Sequence, residues 1–354
     1  MSPDRPHEDA AFSRGPGVPT IRQVAALAGV STATVSRVLA RSGRVSPDLD
    51  ARVRQAAQRL NYQPNRAARN LRARHGSTVG VLIPDIQNLF YTSIVRAIDD
   101  EVQQHGYTVL LGNSGGVSDR EQIYLDTFRA EGAVGVLLVP NQQDPGLYRE
   151  FLRSALPTVI LDRYLDLAGV DSVAVDNAAG SAEAVKHLAG LGHRRIAMMT
   201  GLEYYSVGAE RRRGYVEGLA SSGLPVDDAL VRDGEFEREA ARLATHRLLS
   251  LPDAPTAIFS ANNTMSLGVL QAIHERGLRV PDDISLVGFD DMPWQVATQP
   301  PLTCVSQPTY EIGAAAARLL MQRIETPDRP AQRVVLGTTL IVRASSARPA
   351  RSPV

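Results

Sequence analysis

Cysteine is nearly absent. Cys304 stands alone among 354 residues, which excludes an internal disulfide framework and fits a reducing compartment. No apolar run approaches the roughly 18 residues that a membrane span requires, so no membrane partner is expected. The first residues carry Asp4, Arg5, Pro6, Glu8 and Asp9 where an export signal needs an apolar stretch, and a cytoplasmic location is the expectation. Enzyme signatures are missing too: there is no Walker loop, no nucleophile elbow, no HExxH helix and no paired-cysteine site. The 7 histidines, His187 and His193 among them, have no cysteine or acidic partner at metal-ligand spacing. Neither a metal nor a cofactor is expected, and neither is catalysis.

Net charge is also absent, but only as a sum. Residues 1–75 hold 13 arginines against 5 acids, whereas residues 76–354 hold 25 basic against 33 acidic side chains. A basic module is thus joined to an acidic one, as binding to the phosphates of double-stranded DNA requires of the first. The length suits one small and one large domain.

The basic module contains TIRQVAALAGVSTATVSRVL, residues 20–39. Thr20 with Gln23 has the spacing of a capping box, and Ile21, Val24, Ala25 and Ala28 recur at helical spacing. Gly29 ends that helix. Ser31 caps a second one whose inward residues are Val35 and Val38, leaving Thr32, Ala33, Thr34, Ser36 and Arg37 outward. Two short helices with a small, polar, Arg-terminated outer face form a helix-turn-helix suited to the major groove. Thr32, Ala33 and Arg37 are expected to read base edges, and Thr34, Ser36 and helix-start amides to hold phosphates; Arg37 as a phosphate contact or a plain surface residue is the alternative. Ser46 and Pro47 open a third helix with Leu49, Val53, Ala56, Ala57 and Leu60 inward. Asn61 ends it. NRAARNLR, residues 65–72, has the length of about two helical turns, marginal alone because nucleation is costly. Leu71, exposed between Arg69 and Arg72, suits an apolar wedge between base steps, or packing on the next domain.

From Thr78 the pattern alternates between buried parallel strands and amphipathic helices. TVGVLIPD, YTVLLGNS, VGVLLVP and PTVILDR form a first set; SVAVDN, RIAMMTG, AIFSANN and ISLVGFDD form a second. Two doubly wound subdomains follow, with ligand groups at the carboxyl ends of the strands. Asp85, Asn88, Asn113, Asp162, Arg163, Asn262, Asn263, Asp290 and Asp291 fall at such ends, with Phe90, Tyr91, Tyr164, Phe289 and Trp294 nearby. Carboxylates, amides and an arginine beside aromatic faces suit a polyhydroxylated ligand. Any one of them alone is as easily a cap or strand-end group.

AGVSTATVSRVL (28–39), GRVS (43–46), NYQPNRAARNLR (61–72), PDIQNLFY (84–91), LDR (161–163), LGHRRIA (191–197), FSANNTMSLG (259–268) and ISLVGFDD (284–291) resemble the LacI/GalR family of bacterial transcription regulators over about Pro19 to Arg343. The resemblance implies a three-helix headpiece and a hinge helix, followed by a core like the periplasmic sugar-binding proteins. It also implies a DNA-facing set of Thr20, Ser31, Thr32, Ala33, Thr34, Ser36, Arg37, Asn65, Arg66 and the wedge Leu71. For the effector it implies Asn88, Phe90 and Arg163 from the first subdomain facing Arg211, Asn262 and Asp290 from the second. Asn263 stands where the family usually has Asp, and Asn61 where it more often has Gly. The expected organisation is an arm at 1–18, a headpiece at 19–63, a hinge helix and linker at 64–75, a core at 76–343 crossed three times by the chain, and a flexible tail at 344–354. The tail has no leucine heptad, so a homodimer on a palindromic operator is expected rather than a coiled-coil tetramer. The function so implied is a ligand-controlled DNA-binding repressor, its effector most simply a sugar. A nucleobase or nucleoside, or a protein co-regulator, is the alternative; a sugar-binding protein without a DNA role would leave residues 19–75 unexplained.

Overall fold

The computed structural model describes residues 19–39, 45–62, 77–141, 146–165, 167 and 169–350. The arm at 1–18 and the hinge residues Asn65, Arg66 and Leu71 lie outside these. The chain divides into two units, Met1–His75 and Gly76–Val354.

In the first unit, α1 (Ile21–Ala28), α2 (Thr32–Leu39) and α3 (Pro47–Arg59) enclose one small core. The Thr20–Gln23 capping box is formed, and Gly29 closes α1 in the left-handed region at φ 64°. Val24, Ala25, Ala28, Val35, Val38, Val53, Ala56 and Ala57 are buried together, with Leu60 and Tyr62 packed on them. Arg52 reaches from α3 to donate to the Ala28 carbonyl at 2.6 Å, which satisfies a helix-end acceptor and fixes α3 against α1. Ser46 precedes α3 without a side-chain capping bond, so Pro47 is the start signal there. Asn61 adopts φ 47°, a conformation its short polar side chain tolerates.

The second unit contains two six-stranded sheets. The first is ordered β11-β5-β4-β3-β1-β2 and the second β12-β10-β9-β8-β6-β7. Here β1 is Thr78–Ile83, β2 Thr108–Asn113, β3 Gly135–Leu138, β4 Thr158–Leu161, β5 Asp171–Val175, β6 Ile196–Thr200, β7 Val231–Asp233, β8 Ala257–Ser260, β9 Ser285–Phe289, β10 Thr303–Ser306, β11 Arg333–Leu336 and β12 Thr339–Ile341. All pairings are parallel except that of β12 with β10. Residues alternate across the first sheet. Val79, Val81 and Ile83 of β1 pack under α4 (Leu89–Gln104) and α12 (Thr309–Glu325), while Leu82 faces α5 (Ser118–Ala130) and α6 (Gly146–Leu152).

Three expectations need correction. SVAVDN belongs to the first sheet, not the second, because β5 pairs with β4 and β11. The short strand β7 had no place in the expected pattern; VRD has no apolar alternation and sits at a sheet edge. The tail is not free from residue 344. Ser345 is buried, its carbonyl accepts from Leu286 N at 2.9 Å and its hydroxyl donates to the Leu286 carbonyl at 2.6 Å, and Ala347 N donates to Ser285 Oγ at 3.0 Å. The three crossings stand, after β5, after β10 and between β11 and β12, because β10 and β12 lie in the second sheet while α12 packs on the first.

Candidate functional site

The outer face of α2 is small and polar as read. Ser31, Thr32, Ala33 and Arg37 are exposed, and Thr34 and Ser36 are half-buried. Ser31 Oγ accepts from Thr34 N at 3.1 Å and shares a bond of 3.0 Å with Thr34 Oγ1, so these two hydroxyls hold the start of the helix. Thr20 does the same work for α1. Thr32, Ala33 and Arg37 are left to face outward, and among the described residues the Arg37 guanidinium makes a single long 3.5 Å contact, with the Ala33 carbonyl.

In the core, the carboxyl ends of both sheets face a cleft of about 590 Å³ lined by all six expected contact residues, Asn88, Phe90, Arg163, Arg211, Asn262 and Asp290. Each is held from behind. Asn88 caps α4 by accepting from Phe90 N at 3.0 Å, and Phe90 meets Tyr91 edge to face at 5.1 Å. Asn262 caps α10 (Asn263–Glu275) by accepting from Met265 N at 2.7 Å. Arg211, on α8 (Ser206–Ser221), donates through Nε to Asn177 Oδ1 at 2.8 Å and through Nη1 to the Ala261 carbonyl at 2.6 Å. It reaches Asn177 because Gly214 lets α8 approach α7 (Asn177–Gly190) backbone to backbone; a Cβ there would lie 2.1 Å from the Ala178 carbonyl. Arg163 donates through Nη1 to the Pro140 carbonyl at 3.0 Å and to Asn141 Oδ1 at 3.1 Å.

Two aspartates end strands in the same unusual way, one in each subdomain. Asp162 after β4 has φ 61° and Asp290 after β9 has φ 71°, a region that costs a non-glycine residue about 1 kcal/mol or more. The turns aim both carboxylates into the cleft. Tyr91 donates to Asp162 Oδ2 at 3.1 Å. Burial pushes the Asp162 carboxyl above the usual carboxylate range, against the pull of Arg163 and Arg211. Asp290 accepts from Gln307 Nε2 at 2.5 Å and from Asn263 N and Nδ2 at 3.2 and 3.1 Å.

The cleft is bridged in three places. Asn263 Nδ2 also donates to Asn88 Oδ1 at 3.0 Å, the Arg163 guanidinium lies 3.6 Å over the Tyr205 ring, and Tyr164 N donates to Ser206 Oγ at 2.7 Å. Asn263, the departure from the family pattern, thus supports two lining residues from outside the cleft lining itself. Other strand-end residues have different work. Asn113 accepts from Ile86 N at 3.1 Å, Asp291 pairs with Arg343 at 2.8 Å, Tyr164 lies under Arg333 at the surface, and Phe289 lies beneath Arg211 at 3.8 Å. Trp294 packs against the cores of both subdomains.

Tyr204, Tyr205, Phe236 and Gln307 line the cleft without having been foreseen. All follow strands, Tyr204 and Tyr205 after β6, Phe236 after β7 and Gln307 after β10, so the strand-end rule applied to every strand would have found them. Phe236 rests on Gly201, where a Cβ would come within 2.2 Å of its ring, and both Glu235 and Phe236 have positive φ. Among the described residues no cluster of His, Cys, Asp or Glu could hold a metal, and no helix is long and apolar enough to cross a membrane.

A helix-turn-helix unit followed by a two-sheet, cleft-bearing core defines a ligand-responsive DNA-binding regulator. Residues 20–65 match the model of bacterial regulatory proteins of the lacI family, and residues 185–346 match the periplasmic binding protein-like domain. Catabolite control protein A of Priestia megaterium is 36% identical over 85% of this chain and 91% of its own. The transcriptional repressor CytR of Escherichia coli K12 is 34% identical over 92% of this chain and 96% of its own. Among solved structures, a complex of the regulator CelR with cellobiose is 34% identical, with a TM-score of 0.71 over 92% of this chain and 99% of its own. The lac repressor dimer bound to operator and the anti-inducer ONPF is 27% identical, with a TM-score of 0.82 over 94% of this chain and 100% of its own. The chain belongs to the lacI family of bacterial transcription regulators.

Proposed function

We propose that this chain is a cytoplasmic repressor that acts by binding, not catalysis, and that a sugar in the cleft sets its affinity for a palindromic operator. The observation that carries this reading is the convergence of Asn88, Phe90 and Arg163 from one subdomain with Arg211, Asn262 and Asp290 from the other. Paired donors and acceptors match neighbouring hydroxyls, and Phe90 and Phe236 offer apolar surface to the C–H side of a ring. Relatives of this architecture are solved with cellobiose and with ribose. On DNA, Thr32, Ala33 and Arg37 read base edges, and Thr34, Ser36, Asn65 and Arg66 hold the backbone. Leu71 opens the minor groove between half-sites. A second copy supplies the second half-site; exposed Ile86, Leu89 and Ile123 offer it apolar surface.

Closure of a three-stranded hinge on the effector alters how two headpieces are presented, and the coupling is reciprocal. The test is thermal unfolding of the full chain against a panel of sugars and nucleosides, followed by operator binding with and without any hit. A ligand at about 100 times its Kd adds about 2.7 kcal/mol of stability. The Arg211→Ala protein is expected to lose that shift while keeping operator affinity. A hit whose shift survives Arg211→Ala places the ligand elsewhere.

A further inference from the structure

Arginine recognises phosphate or carboxylate by presenting two neighbouring N–H groups in one plane. Neither arginine of the cleft has such a pair open. Arg211 has Nε on Asn177 and Nη1 on the Ala261 carbonyl, and its Nη2 faces Asp290 Oδ1 at 3.9 Å. Arg163 has Nη1 on Pro140 and Asn141, and its Nε is shut off from solvent without a partner. One face of each guanidinium is covered by a ring, Tyr205 at 3.6 Å and Phe289 at 3.8 Å.

The charge around them points the same way. Asp85, Glu235 and Glu237 stand exposed in the lining and Asp290 inside, so four carboxylates oppose two guanidiniums before Asp162 is counted. An incoming anion meets a lining with more carboxylates than guanidiniums, and no open cationic fork offsets them. What the cleft offers is a hydroxyl's complement: carboxylate acceptors, single donors, and Gln307 Oε1, which is buried without a donor. Resting on the small-molecule reading above, we infer that the cleft takes uncharged, hydroxyl-bearing ligands and rejects their phosphorylated or carboxylated counterparts.

Matched pairs test this on the full chain at constant ionic strength: ribose and ribose phosphate, glucose and glucose phosphate, glucose and glucuronate, adenosine and adenosine monophosphate. In any pair that raises the unfolding temperature, the neutral member is expected to bind at least about tenfold more tightly, and calorimetry gives the ratio. The double substitution Glu235→Gln with Glu237→Gln is expected to narrow it by about threefold per carboxylate removed, the Coulomb effect in water over roughly 6 Å. Both residues are exposed, so the fold is not at stake. An anionic member that binds as tightly as its neutral partner, or a ratio indifferent to the double substitution, overturns the inference while leaving an effector in place. No shift with any pair overturns the small-molecule reading itself and takes this inference with it.

Discussion

Glu121→Gln is the most direct test of how the floor of the cleft is built. Glu121 is fully buried; its Oε2 accepts from Tyr148 at 3.0 Å and its Oε1 from Asn141 N at 3.3 Å. Asn141 in turn donates to Ser114 Oγ at 2.6 Å and accepts from Arg163, so the acid lies one residue behind an arginine of the cleft. Burial pushes its carboxyl up to about 7 from an ordinary 4.5, although the bonds from Tyr148 and Asn141 and the charge of Arg163 pull down. Between those two values the folded chain keeps a proton that the unfolded chain has released. Stability therefore falls as pH rises through that window, by about 1.4 kcal/mol per pH unit and on the order of 3 kcal/mol in all, and is level above it. Glutamine has the same shape and never ionises. Urea transitions followed by Trp294 fluorescence, from about pH 5 to about pH 8, should show the substituted protein gaining on the original as pH rises. Groups common to both proteins cancel in the difference. A difference that does not change with pH refutes the assignment of a proton to this site.

Two further outcomes follow from the geometry. Arg37→Ala should cost about 1 to 3 kcal/mol of discrimination at one base position, measured on a selected operator and its single-base variants; equal weakening on every sequence would mean a phosphate contact instead. Asn263→Asp replaces the amide that donates to both Asn88 and Asp290 with a second carboxylate about 3 Å from the first. Stability near neutral pH should drop by about 2 kcal/mol and partly return near pH 5 as one carboxyl of the pair takes a proton; a loss that is the same at both pH values would show that only packing was disturbed.

The headpiece was legible almost residue by residue, because capping, helical spacing and a glycine stop are local signals, and Thr20, Gly29 and Asn61 each act locally. The cleft residues Arg163, Asn262 and Asp290 were legible for a related reason: they follow short apolar runs of strand length. What escaped depends on pairing across the fold. β5 reads as the start of a second series, since it follows the first four strands in order, yet its partners are β4 and a strand some 160 residues later in the chain. Phe236 escaped because β7 is three polar-edged residues long, and Tyr205 because its value lies in covering an arginine from the other subdomain. The docking of Ser345 and Ala347 escaped because hydroxyl and carbonyl bonds to Ser285 and Leu286 leave no periodic trace in the sequence.

The strand β11 has a consequence for how the molecule is made. Arg333–Leu336 lies in register with Ser172–Val175 at the edge of the first sheet, and α12 covers the face of that sheet, so the first core subdomain is finished by residues synthesised only after the whole of the second sheet up to β10. Until then β5 has a bare edge and the apolar face beneath α12 is uncovered, the conditions under which nascent chains aggregate or call on chaperones. For the same reason no single cut inside the second unit separates its two sheets into fragments that are each complete: a fragment ending after β5 lacks its sixth strand and its covering helix, and the remainder carries both with nothing to dock on.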